Sequence, residues 1–119
     1  MGHVRHLFTA FRCSLQGIAA AFRSETAFRQ EVAVFVAVAL VSLALFPPAA
    51  AIGLIAAWIF VMALELLNMA VESVCNLVSG DIHPLIKKAK DAGSAAVFTA
   101  IIANGALWVA ALLLLRGKS

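Results

Sequence analysis

The stretch ELLNMAVESVCNLVSGD, residues 65–81, carries the side chains best suited to chemistry. Glu65, Asn68, Glu72 and Asn76 are spaced three, four and four, and Ser79 continues the step. At about 100° per residue the first four fall within roughly 80° of one another on a helix, with the two carboxylates about 10 Å apart along its axis. An ionised carboxylate inside an apolar span is costly unless it is paired, metal-bound or in a wet cavity. Solvation at the headgroup level would account for Glu72 alone. It does not explain one-sided placement of Glu65, Asn68 and Glu72 together, which marks a site for a cation or a moving proton.

Two further clusters flank this stripe. Glu25, Arg29, Gln30 and Glu31 precede an apolar run, and by themselves read equally as a helix-start charge set with interfacial anchors. The segment HPLIKKAKD, His83 to Asp91, leads into the last apolar run. As bare pattern it is either positive-inside charge or a docking patch for anionic lipid headgroups. Combined, carboxylates able to hold a divalent cation lie beside lysines able to hold phosphates. Phosphoryl transfer uses such parts: a metal to neutralise charge, cations on the phosphates, and a carboxylate to take the acceptor proton. A carboxylate at a lipid boundary suits a general base. The pattern is consistent with lipid phosphorylation without being unique to it. A small exporter working through the intramembrane Glu65 is the rival of another class, because a lone membrane carboxylate is often a proton or cation site.

The elements that must position these groups follow from composition and periodicity. Of 119 residues, 64% are hydrophobic and only 13% charged, against roughly 45–50% and about 25% in soluble domains. The chain could not cover that much apolar surface with polar groups, so lipid must be the solvent for much of it. Val4, Leu7, Phe8, Phe11, Leu15, Ile18 and Phe22 recur in steps of three and four, the stripe of an amphipathic helix. Arg5, Arg12, Gln16 and Arg23 fall outside the stripe, which predicts a helix over 4–23 lying in the membrane interface. The arginines spread along this segment exclude a cleavable signal peptide.

Three apolar runs follow. Val32 to Phe46 is short, but its helix can begin within 27–31 and stops at Pro47 and Pro48. The second begins near Ala49 and is free of charge until Glu65, and Ala92 to Leu115 carries no charge at all. A bilayer core needs about 20 helical residues, so the pattern predicts spans over 28–46, 50–78 and 91–115. The expected fold is an all-α membrane protein, one domain over 1–119. Arg5, Arg12, Arg23, Arg29, Lys87, Lys88 and Lys90 are seven of the nine basic residues and all fall on one side of this topology. The positive-inside rule puts the N-terminus and the 79–91 loop in the cytoplasm. Cys13 and Cys75 read as packing residues. The terminal Gly117-Lys118-Ser119 matches the end of a phosphate-binding loop by chance, because the upstream glycine, strand and following helix are missing.

ELLNMAVESV, followed about a dozen residues later by HPLIKKAKDAGSAAV, closely resembles the prokaryotic diacylglycerol kinase family, which also contains the undecaprenol kinases. ETAFRQE, Glu25 to Glu31, matches the same family, and the resemblance covers roughly residues 5–115. It implies an ATP- and magnesium-dependent lipid kinase of the bacterial inner membrane: a homotrimeric helical bundle of surface helix plus three spans, with active sites shared between subunits and no nucleic-acid partner. Carried over by position, Glu65 would be the general base on the lipid hydroxyl. Glu25 and Glu72 would hold Mg2+ bridging the ATP phosphates. Asn68 would orient this cluster, Lys90 would contact phosphate, and Asp91 would help hold the nucleotide. Ala10, Ser14, Arg29, Gln30, Glu31, His83 and Ser94 occupy positions near the lipid or nucleotide in similar proteins. The family usually has Asp where this chain has Asn76, and often a basic residue where it has His6. AFRQE and KDAGSAAV look like the diacylglycerol branch, whereas SGDIHPLIKKAKD looks more like the undecaprenol branch. Diacylglycerol is the favoured acceptor, and undecaprenol the alternative with the same mechanism.

Overall fold

The computed structural model describes residues 2–78, 80 and 83–117. Ser79, Asp81, Lys118 and Ser119 lie outside the described residues. The chain forms α1 (Gly2–Ser24), α2 (Thr26–Leu45), α3 (Pro48–Val78) and α4 (Pro84–Gly117). The last three are long and apolar enough to cross a membrane.

Each break has a local cause. α1 and α2 are separated by Glu25 alone, whose backbone is extended at φ −110° and ψ 111°. The Arg29 guanidinium holds this corner by donating to the carbonyls of Phe22 at 2.8 Å and Arg23 at 3.0 Å. It thereby satisfies acceptors that the end of α1 leaves without helical partners and sets a positive charge at that helix C-terminus. α2 stops at Phe46, which precedes Pro47 and is extended at φ −121° and ψ 158°, as the residue before proline must be. Pro48 then starts α3, where its missing N–H costs no hydrogen bond.

The last helix begins well before the span expected at 91. The basic segment from Pro84 onward is helical, not a loop. Pro84 occupies the first helical position, and the His83 ring Nδ1 accepts from the Leu85 amide at 3.1 Å, capping an otherwise unsatisfied donor. Lys87 and Asp91 pair one turn apart at 2.6 Å on the same face.

α3 is the middle of the structure. It packs against α2 on one side and α4 on the other, while α1 touches α2 and α3. The result is a flat layer of 56 × 45 × 23 Å, not a closed bundle. Val38, Trp58, Val61, Val97 and Ala100 form its buried core. At the end away from the acidic stripe, the Phe46 and Trp108 rings meet edge to face with centroids 5.7 Å apart. Deep in the layer Asn104 Nδ2 donates to the carbonyls of Ala57 at 3.1 Å and Ala100 at 2.9 Å, tying α4 to α3. The whole apolar stripe of α1, from Val4 to Phe22, stays exposed, as a face made for lipid or for another chain would.

Candidate active site

Helical periodicity places Glu65, Asn68 and Glu72 on one face of α3, and the layer leaves that face uncovered between α2 and α4. An open cleft of about 560 Å³ runs there. Its polar end is lined by Glu25, Gln30 and Glu31 from the start of α2, by Glu65, Asn68 and Glu72, and by Ser94 of α4. Its other end is apolar, with Val34, Trp58, Val97, Phe98 and Ile101. Seven of the expected site residues thus share one cleft.

Burial grades along the stripe. Glu31, Glu65 and Asn68 are each 8% exposed, Glu72 is half-buried and Asn76 exposed. Glu31 and Glu65 face each other closely enough for their carboxyl groups to interact. Asn68 Nδ2 reaches Glu72 Oε1 at 3.4 Å, a long hydrogen bond that orients the carboxylate more than it binds it. The Asn68 and Glu31 side chains each keep one buried oxygen, Oδ1 and Oε1, with no partner among the described residues. Both oxygens are enclosed, and Asn68 Oδ1 fills the space beside Gly93 of α4.

The donor set fits magnesium in a particular way. Among the described residues no three His, Cys, Asp or Glu side chains gather into a metal cage. Mg2+ seldom needs one: it is held by one or two carboxylates together with waters and substrate phosphates. Glu25, at the α1–α2 break, and Glu72, on α3, both line the cleft and are hard oxygen donors of the kind Mg2+ takes.

The remaining expected residues do not line this cleft. Lys90 is turned onto α3, where its ammonium donates to Asn76 Oδ1 at 2.8 Å, beside Glu72 on the same helix. Asp91 pairs with Lys87, both well exposed. His83 caps α4, and Arg29 staples the α1–α2 corner. Ser14 lies on α1, where its hydroxyl donates to the Ala10 carbonyl at 2.8 Å. It borders a separate shallow groove with Gly17, Ile18, Leu66 and Met69.

Two contributors escaped the sequence reading. Trp58 lines the cleft and donates its indole N–H to the Glu31 carbonyl at 2.8 Å. Its signal was available, since it stands two turns before Glu65 on the same face. Gly93 is a close approach of α4 to the stripe: a Cβ there would collide with Asn68 Oδ1. Nothing in the sequence singles this glycine out, because the need for it arises only where the two helices meet.

Fold and site together define a helical multi-pass membrane protein with an acidic, lipid-open cleft at one end of its central helix. The chain belongs to the prokaryotic diacylglycerol kinase family, which it matches over residues 12–112. It is 43% identical over 106 residues to a diacylglycerol kinase of Haemophilus influenzae, covering 87% of this chain and 88% of that protein. Against a diacylglycerol kinase of Pseudomonas aeruginosa the identity is 40% over 118 residues, covering 92% and 90%. Against one of Escherichia coli K12 it is 41% over 96 residues, covering 80% and 79%.

Proposed function

We propose that this protein is a lipid kinase that moves the γ-phosphate of ATP to the hydroxyl of diacylglycerol, giving phosphatidic acid at the cytoplasmic face of the bacterial inner membrane. The observation that carries the reading is the single cleft whose polar end gathers Glu25, Glu65, Asn68 and Glu72 and whose other end is apolar. A substrate with a polar head and greasy tails fits that gradient.

Depth supports it as well. Seventeen residues separate Pro48 from Glu65 along α3, about 26 Å of helix, close to the roughly 30 Å of a hydrocarbon core. Glu65 then lies near the boundary where a diglyceride hydroxyl sits, and Glu72 lies beyond it, within reach of a soluble nucleotide.

In the reaction Glu65 takes the proton of the lipid hydroxyl as that oxygen attacks the γ-phosphorus. The bond to the bridging oxygen breaks and ADP leaves with the electron pair. Glu25 and Glu72 would hold Mg2+, which neutralises phosphate charge when bound. Asn68 orients Glu72, and Lys90, held by a neutral amide, keeps its charge free for phosphate. An open layer cannot seal this cleft from water or lipid, which supports assembly as a homotrimer with sites completed by neighbouring copies. Seven of nine basic residues on one side of the topology support a cytoplasmic N-terminus.

The test is radiolabelled transfer from Mg-ATP to diacylglycerol and undecaprenol offered in one micelle preparation. Label on diacylglycerol is expected, label on undecaprenol would reassign the acceptor, and label on neither would refute the kinase reading. Replacing Glu65 by Gln should lower turnover about 100-fold or more while nucleotide binding changes little.

A further inference from the structure

Trp58 sits where tryptophan is not usual. Indoles favour the membrane–water interface, where the ring is buried and the N–H stays wet. Here the ring is in the middle of an apolar helix and 8% exposed. Seven residues before Glu65 is two helical turns, so Trp58 lies on the same face of α3, about 10 Å further into the membrane. The indole does not float in that position. Its N–H donates at 2.8 Å to the main-chain carbonyl of Glu31 on α2, a buried bond. Next to it, Asn104 bonds the carbonyl of Ala57 from the other side. At this level α3 is therefore tied to both neighbours, and the ring lines the cleft two turns from Glu65.

Val34 on α2 and Phe98 and Ile101 on α4 line the apolar end of the cleft beside the ring and are 41%, 63% and 40% exposed, so no other part of this chain covers them. We infer that Trp58 is the floor of the lipid subsite: its pinned indole closes the cleft beneath Glu65, fixes the depth at which the acceptor hydroxyl meets that carboxylate, and turns the acyl chains out sideways over Val34, Phe98 and Ile101. This rests on the lipid kinase reading. Trp58 is a positioning residue in this scheme and touches the lipid, not the phosphates.

The experiment uses purified full-length protein in mixed micelles, wild type beside Trp58→Phe and Trp58→Ala, with separate titrations of diacylglycerol and ATP. Trp58→Ala should raise KM for diacylglycerol about tenfold and leave KM for ATP within twofold. Trp58→Phe keeps the ring without the N–H and should show a smaller rise, about threefold. A lipid KM unchanged within twofold, or lipid and ATP constants rising together, would overturn the inference. A second measurement keeps Trp58 in place and does not depend on the Trp58 variants folding. The chain has two tryptophans, so Trp108→Phe leaves Trp58 as the sole fluorophore. A nitroxide-labelled diacylglycerol should quench it saturably, and unlabelled diacylglycerol should reverse this while ATP does not. Quenching that merely follows bulk label concentration would overturn the inference. If wild type transfers no phosphate, the kinase reading fails, and saturable quenching would still establish the floor.

Discussion

Replacing Gly93 by Ala tests how the cleft is built, because two effects of known size oppose each other there. No glycine among the described residues has positive φ, so alanine at 93 meets no backbone strain and gains about 1 kcal/mol of helix propensity. Against this, the new methyl would overlap Asn68 Oδ1 and stand 3.4 Å from Asn68 Cγ and 3.8 Å from its Cα. Overpacking of this kind costs about 1–3 kcal/mol. The overlapping atom is the end of a side chain, so the Asn68 carboxamide turns before α4 withdraws, and the cost falls in the lower part of that range. Stability should therefore drop by about 1 kcal/mol or less. Activity should suffer more. A turned carboxamide gives up its bond to Glu72 and leaves that carboxylate without the amide that orients it. About tenfold in kcat is expected, equivalent to about 1.4 kcal/mol of transition-state stabilisation. The assay is phosphate transfer to diacylglycerol in micelles, with the midpoint of thermal inactivation measured alongside. Combining Gly93→Ala with Asn68→Ala removes the side chain that the methyl strikes, so the two activity losses should be far from additive. Activity of Gly93→Ala within twofold of wild type, or losses that simply add, would refute the reasoning.

Other outcomes follow from the same contacts. Lys90, on a neutral partner at 2.8 Å, should matter to the nucleotide, whereas Lys87 is already neutralised by Asp91 at 2.6 Å and is 70% exposed. Lys90→Ala should raise KM for ATP about tenfold and Lys87→Ala less than twofold; the reverse order would exclude Lys90 from phosphate binding. Asn104→Leu should cost about 1 kcal/mol or less in thermal unfolding, near the average found for membrane hydrogen bonds. Both carbonyls it serves lie inside helices, and the change also removes an unpartnered buried Oδ1. A loss above about 2 kcal/mol would show that this oxygen is satisfied by something outside the single chain.

The stripe Glu65, Asn68, Glu72 was legible because helical periodicity is a local property: once α3 forms, residues three and four apart share a face whatever surrounds them. The same locality made the three spans readable from their lengths, the α1 stripe from its steps, and the α2–α3 break from Pro47 and Pro48. The helix from Pro84 onward, where charge pattern alone read as a loop, has a local cause in Pro84 at its first position and the His83 ring on the Leu85 amide. Only the tertiary structure decided what the face of the stripe meets. It brought Glu25, Glu31 and Ser94 to the stripe from two other helices, set Lys90 on Asn76, and placed Ser14 beside a different groove. Gly93 and Trp58 are the sharpest cases, since a glycine's value lies in the neighbour that needs its space and an indole's in the carbonyl it finds. Such pairings depend on contacts between residues far apart in the chain, which arise from the packing of whole helices and leave no period in the sequence.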